Sequence, residues 1–389
     1  MPNIKRGMMG AAGVSTDTPD VPGTLWTWGY NTRGQAGIGS LLENSSPVQV
    51  GSLENWLGGT KPVAATNRMS VKEDNTLWAW GNNEHYGQLG LGDMIYRSSP
   101  VQVGSLTDWA FVQSDGGSAA AIKTDGTLWT WGSNSAGKLG RLSYGGIGWG
   151  KASSSPVQVG SLTDWSTLTF ASQCILAIKT DGTLWAWGSG SNGKLGVGST
   201  ISYSSPIQVG GLTTWANITG GDSHVLGITT GGTLFAWGKN TDGQLGLGDV
   251  VLRSSPVQVG SLATWASASL DGRGTRMSSA LTTTGKIYTW GKNNNGQLGL
   301  GDTVYRSSPV QVGSVDTWKK LSQGGHIMGA IKEDGTLWTW GTNNRGGLGL
   351  GDTNNGGTTN RSAPTQVGSS TDWISIGMGD SSGIATRTP

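Results

Sequence analysis

One cysteine, three histidines, three phenylalanines and a 13% share of charged residues leave this 389-residue chain little material for several kinds of chemistry. The lone Cys174 excludes a disulfide framework, and in the apolar run Cys174-Ile175-Leu176-Ala177-Ile178 it reads as an inert buried thiol. A formal net charge of +2 provides no basic field, so the counter-ion release that drives nucleic-acid binding has little to act on and no nucleic-acid partner is expected. His85, His224 and His326 are not paired at ligand spacing, and neither a Cys pair nor a dense carboxylate cluster accompanies them. No metal and no cofactor is therefore expected. No stretch approaches the roughly 20 apolar residues needed to span a bilayer, so membrane insertion is not expected either. Lys5 and Arg6 precede a Gly7 to Val14 segment that is too short and too rich in glycine for a secretory signal.

What the chain does have is 68 glycines, 20 tryptophans and a repeat. An apolar strand ending in Trp-Gly is followed by a polar Asn/Gly turn, a Ser-Ser-Pro-Val-Gln-Val-Gly stretch and a lone Trp. The Trp of each Trp-Gly pair falls at Trp28, Trp80, Trp131, Trp187, Trp237, Trp290 and Trp340, a spacing of about 50 residues that marks a propeller or a solenoid. In one unit, Trp165 to Thr169, Ile175 to Lys179, Thr183 to Trp187 and Pro206 to Val209 read as four strands. Asp181-Gly182 between the second and third is a tight-hairpin signal, expected as a type I′ turn, and it recurs at Asp125-Gly126 and Asp334-Gly335. Four short antiparallel strands repeated seven times predict an all-β, seven-bladed β-propeller.

Aligned on the repeat, the N-terminal Gly23 matches Gly182 and Pro389 matches Asp181, so the chain breaks inside one blade's hairpin. Trp373 to Thr386 then supply two strands and Thr24 to Val50 the other two of a shared closing blade, which leaves no open edge there. The expected organisation is a flexible tail or anchor over residues 1–22 and a single propeller over residues 23–389.

The unit Asp125-Gly126-Thr127-Leu128-Trp129-Thr130-Trp131-Gly132-Ser133-Asn134, followed by Gly-x-Leu-Gly and later Ser-Pro, resembles the regulator of chromosome condensation repeat family over residues 23–389. The resemblance implies a seven-bladed propeller. For function it implies a range, from nucleotide exchange on a small GTPase through light sensing to plain protein docking. Light sensing by clustered tryptophans would want the family's Gly-Trp-Arg-His-Thr cluster, which this sequence lacks. Nineteen of the 20 tryptophans occupy repeat-equivalent places and read first as packing residues.

Catalytic look-alikes dissolve on inspection. Gly188 to Lys194 and Gly132 to Lys138 have phosphate-loop spacing, but Leu195 and Leu139 stand where Ser or Thr must meet magnesium. Gly379-Asp380-Ser381-Ser382-Gly383 aligns with Gly221-Asp222-Ser223-His224 as an ordinary blade turn. His224 and His326 follow such turns at equivalent places and read as structural hydrogen-bonding residues.

Two patterns remain. Asp93, Asp249, Asp302 and Asp352 each follow a turn, and the same four blades carry Arg97, Arg253, Arg306 and Arg361 just before Ser-Pro, whereas blades without the Asp have Asn44, Ser153 and Tyr203 there. Each Asp is expected to meet its own Arg within the loop, steadying it. The repeat is also broken twice: the interval from turn Leu to Pro lengthens to 17 residues from Leu139 to Pro156 and to 16 from Leu348 to Pro364. The first insertion carries Arg141, Tyr144, Trp149 and Lys151, residue types favoured at contacts, and is the expected partner-binding site. The bland alternative is a loop folded over its own blade. The second insertion, Thr353 to Asn360, is polar and without anchors.

The expected function is a non-enzymatic docking or structural protein. Met1 to Gly13 resembles the starts of tailed-phage virion proteins, which implies a virion-associated module on a phage tail or capsid surface. Its partners would be a protein or a cell-surface glycan, with other virion proteins held through residues 1–22. Without phage origin the expected location is the cytoplasm. The alternative is a guanine nucleotide exchange factor-like regulator of a small GTPase, which would want a protruding acidic or apolar wedge. A sugar-cleaving enzyme would need two convergent carboxylates and ranks last.

Overall fold

The computed structural model describes residues 22–57, 66–141, 150–270, 274, 276–352 and 359–389. The fourth blade shows how the repeat folds. Trp165–Phe170, Cys174–Lys179, Leu184–Gly188 and Tyr203–Gln208 form one antiparallel sheet in chain order. Cys174–Lys179 is buried at every position, because this strand is covered on both faces by neighbouring blades and needs no alternation of polar and apolar residues. The fourth strand is half-buried, with Ser204 and Gln208 exposed, and lies at the outside of the blade.

Seven antiparallel sheets hold the described strands, and the closing sheet runs Asn44–Gln49, Thr24–Gly29, Ser382–Arg387, Trp373–Met378. Thr24 to Gly29 pair in unbroken register with Arg387 to Ser382. The second sheet shows three named strands, with Trp56 bridged to Lys72 and to Gly23 at its inner edge; residues 58–65 lie outside the described residues. Each apolar cluster straddles two blades: Leu176, Ile178 and Ala186 of the fourth pack with Trp215, Val225 and Trp237 of the fifth.

The Trp-Gly pair has a separate reason for each member. Trp187 Nε1 donates to the Lys138 carbonyl of the preceding blade at 2.9 Å, and the same reach recurs from Trp237 to Lys194 and from Trp290 to Gln244, at 3.0 and 2.9 Å. Each indole thus fills the gap between blades and ties it. Gly188 has φ 101°, and a Cβ there would stand 2.5 Å from the Gln173 carbonyl oxygen, so the ladder slips between Ala186 and Gly188 only because no side chain is present.

The Asp-Gly hairpin differs from the type I′ turn expected. Gly182 N–H donates to the Lys179 carbonyl and Lys179 N–H to the Thr183 carbonyl, and of the loop residues only Gly182 has positive φ, 77°. This is a three-residue loop, a type I turn followed by a left-handed glycine. Asp181 is not a left-handed residue here but an acceptor: its Oδ1 takes the Thr183 N–H at 2.9 Å and the Thr183 hydroxyl at 2.6 Å. Thr183 Oγ1 in turn accepts from Trp185 Nε1 at 2.9 Å.

Candidate functional site

The hairpins and the long loops before Ser-Pro leave opposite ends of the third strand, so each blade presents two differently built edges. At the loop edge of the sixth blade, Asn293 is fully buried and acts as a hub. Its Oδ1 accepts the Leu298 N–H at 2.9 Å, and its Nδ2 donates to the Asp302 carbonyl and carboxylate, both at 3.0 Å. Asp302 Oδ1 also takes the Val304 N–H at 2.9 Å, and Oδ2 takes Arg306 Nη2 at 2.6 Å. Arg306 Nη1 donates to the Val304 carbonyl at 2.8 Å, so the turn's polar backbone is occupied.

Asp249 with Arg253 and Asp352 with Arg361 lie at 2.6 and 2.7 Å, and Asp93 meets Arg97 in the same way. The Val251 amide, ahead of Arg253, holds the Asp249 carboxyl below its ordinary value. A loop stapled in this way turns its intervening side chains outward. Ile95, Val250, Val251 and Val304 are each more than half exposed, and Leu42 and Ile201 join them from blades without the Asp. The outcome is a recurrent apolar rim on one face of the ring.

The hairpin edge carries an arrangement that the sequence reading missed. Lys179 Nζ lies 4.7 and 5.2 Å from the ring centroids of Trp185 and Trp165, and 3.2 Å from Asp164 Oδ2. Lys123 repeats this between Trp129, Trp109 and Asp108, and Arg387 between Trp26, Trp373 and Asp372. Lys72 and Lys332 occupy the same place on their own tryptophans. The two remaining blades have Thr229 and Thr282 there, and in them the third-strand ring is Phe235 or Tyr288 rather than Trp. Cation and indole occur together because Trp has the strongest ring quadrupole. That co-occurrence was available in the sequence.

His224 is fully buried between the fifth and sixth sheets, with Nε2 2.9 Å from Ser278 Oγ. Ser278 donates to the Gln244 carbonyl at 2.7 Å, so His224 must carry its proton on Nε2 and give it to Ser278. Burial pushes the His224 pKa down to about 3 and fixes the ring as neutral. Lys138 and Lys194 of the phosphate-loop look-alikes are both buried; Lys138 is committed to Asp115 at 2.6 Å, and only a three-residue turn, Ser191–Gly193, precedes Lys194. Ser382 Oγ accepts from Arg68 at 2.6 Å. Among the described residues no three His, Cys, Asp or Glu side chains gather as a metal site.

Of the four residues expected to bind a partner, Tyr144 and Trp149 lie outside the described residues. Lys151 falls on the strand Gly150–Gln158, of which only the backbone is described at that position. Arg141 is half-buried, with Nη2 3.4 Å from the Thr130 carbonyl oxygen, and burial holds its guanidinium below the ordinary value. It lines a groove of about 580 Å³ between the third and fourth blades. Residues 353–358 of the second insertion also lie outside the described residues.

A closed ring of seven four-stranded blades, tied blade to blade by tryptophan and carrying loops of unequal length at one edge, is a β-propeller of the protein-interaction class. The family model of the Regulator of chromosome condensation (RCC1) repeat matches residues 22–65, 74–120, 181–228, 231–270, 284–331 and 334–385, and the chain belongs to that family. Prp20p of Saccharomyces cerevisiae has a similar fold, with a TM-score of 0.81 and 20% identity, covering 96% of this chain and 93% of that one. Human WBSCR16 is similar at a TM-score of 0.80 and 18% identity, covering 95% and 99%. In sequence, the Ultraviolet-B receptor UVR8 of Arabidopsis thaliana is 29% identical over 202 residues, 51% of this chain and 44% of the receptor. The Probable E3 ubiquitin-protein ligase HERC6 of Homo sapiens is 31% identical over 184 residues, 46% of this chain and 18% of the ligase. The chain thus spans less than half the length of these curated relatives. No helix of the described residues is long and apolar enough to cross a membrane.

Proposed function

We propose that this propeller is a non-enzymatic docking module that engages a protein partner through the apolar rim of its loop edge. The observation that carries the reading is the build of those loops. Asn293, Asp302 and Arg306 consume the polar backbone of the turn while Val304 and Tyr305 stand exposed, and the fifth blade repeats the plan with Val250, Val251 and Leu252. Rigid loops that hold apolar side chains in water lose little entropy on association and gain area when covered. The test is a triple variant, Ile95→Ser, Val251→Ser and Val304→Ser, compared with the parent in cross-linking of native extracts from the source. Loss of the cross-linked partners with an unchanged melting temperature is expected; an unchanged set of partners overturns the reading.

The location on a virion, with residues 1–22 as anchor, is a narrower form of the same proposal. Its support is the phage-like Met1 to Gly13 segment and the uniformity of the Ser-Ser-Pro-Val-Gln-Val-Gly repeats, which suits recent duplication in a fast-changing surface protein. Co-sedimentation with particles in fixed ratio to a capsid or tail protein would support it, and a wholly soluble fraction ends it. The exchange-factor alternative draws on likeness to Prp20p, a protein known for its binding to Gsp1p and histones. Release of labelled GDP from Gsp1p, unaccelerated by this chain, is the result expected.

A further inference from the structure

At six of the seven junctions between neighbouring blades, an apolar side chain from the Gly-x-Leu-Gly turn region packs onto the shared core. Ile38, Leu91, Val197, Leu247, Leu300 and Leu350 follow the turn's last glycine and pack against the inter-blade clusters. The third blade has Arg141 at that position. Between the first and second blades, where Ile38 is the plug, the groove is about 270 Å³; between the third and fourth it is about 580 Å³. Its walls are Val159, Leu162, Trp165, Trp185 and Pro206, and Arg141 is the one charged side chain among the described residues lining it. Among the described residues Arg141 forms no ion pair, and its nearest polar contact is the 3.4 Å approach to the Thr130 carbonyl. Lys179, behind Trp185, is already spent on Asp164.

A cation lining an apolar slot selects an anion attached to an apolar body. We propose that this groove binds the C-terminal carboxylate of a peptide that ends in a large apolar residue, with the last side chain between Trp185, Leu162 and Pro206 and the carboxylate on the Arg141 guanidinium. An acidic sugar fits less well. Among the described lining residues, Arg141 and Ser205 are the polar side chains left for hydroxyl groups, since Trp185 Nε1 is already given to Thr183. The groove shares no residue with the apolar rim, so this inference goes beyond the docking reading and stands or falls separately from it.

The experiment is calorimetric titration of the whole chain with N-acetyl-Gly-Gly-Phe as the free acid and as the amide. The free acid is expected to bind at least about tenfold more tightly, the lower end of what a hydrogen bond to a charged group contributes. Arg141→Leu restores the residue type of the other blades and should keep the melting temperature while abolishing the preference for the acid. Arg141→Lys should retain part of it. Equal affinity for acid and amide, no binding of either at millimolar concentration, or an undiminished preference in Arg141→Leu would each overturn the proposal. Phenylacetate, titrated in parallel, separates a peptide terminus from any aromatic carboxylate: equal affinity for phenylacetate also overturns the peptide assignment.

Discussion

At the hairpin edge of the fourth blade, Lys179 lies against two indoles with a tenth of its side chain exposed; at the loop edge of the sixth, Arg306 meets Asp302 with 26% and 37% exposed. Both are charge pairs repeated around the ring. The difference is what surrounds them. Lys179 has traded water for ring faces and one carboxylate, so removing it strips a buried edge of its partner. Arg306 and Asp302 remain hydrated, and their attraction competes with water and salt. Geometry, not energy, is what the loop pair supplies: it fixes the path of three residues. His224 marks the far end of the same scale, a titratable group so enclosed that its charged form is excluded.

The largest effect should therefore come from forcing charge onto His224. Its pKa is about 3 in the folded chain against an ordinary 6.5, so between those values the unfolded chain binds the extra proton. Stability is complete above the ordinary value and falls as the pH drops, by about 2–3 kcal/mol at about pH 4.5. Denaturant titrations at several pH values check this, and His224→Gln should flatten the decline between 6.5 and 3. At lower pH a second loss begins. Hydrogen bonds from Thr183 and Thr336 hold the Asp181 and Asp334 carboxyls below their ordinary value, so their contribution is complete above that value and is lost as the pH falls from it through the lowered folded value.

A smaller loss is expected from Lys179→Ala, about 1–2 kcal/mol from the cation–ring and carboxylate contacts together. The fifth blade is the internal control, since Thr229→Ala at the same position removes no cation and should cost less in the same unfolding assay. Equal costs would erase the contrast between the blades with Lys and those with Thr. The smallest effect belongs to the loop pair. A double-mutant cycle on Asp302→Asn and Arg306→Gln should show coupling well below the Lys179 loss, and that coupling should shrink as salt is raised. Coupling as large as the Lys179 effect would mean that the loop pair is a stability element after all.

The ring was legible in the sequence because period, strand length and the alignment of both ends all follow from local pattern. Hairpin type was not. Asp-Gly occurs in two-residue and three-residue loops alike, and only the pairing of Lys179 with Thr183 separates them. Asn293 escaped notice because an Asn after Trp-Gly reads as a turn former, whereas its buried amide organises a loop up to 11 residues further on. Lys179, Trp185 and Asp164 come from three different segments, and spacing along the chain says nothing about a cation held between strands. The substitution at Arg141 was visible as a departure from Gly-Leu-Gly, yet the apolar groove it lines comes from Val159, Trp165, Trp185 and Pro206 of other segments, which spacing along the chain does not bring together.

The closing blade sets a timetable for biosynthesis. Thr24–Gly29 waits for Ser382–Arg387, so its inner edge stays unpaired while roughly 350 further residues are translated, about 20 to 70 s at ordinary ribosome speeds. During that interval a nascent chain displays a ready-made strand edge rich in tryptophan, and neighbouring chains on the same message display the same one. Yield in a cell will then depend on how well chaperones shield that edge before the ring can shut.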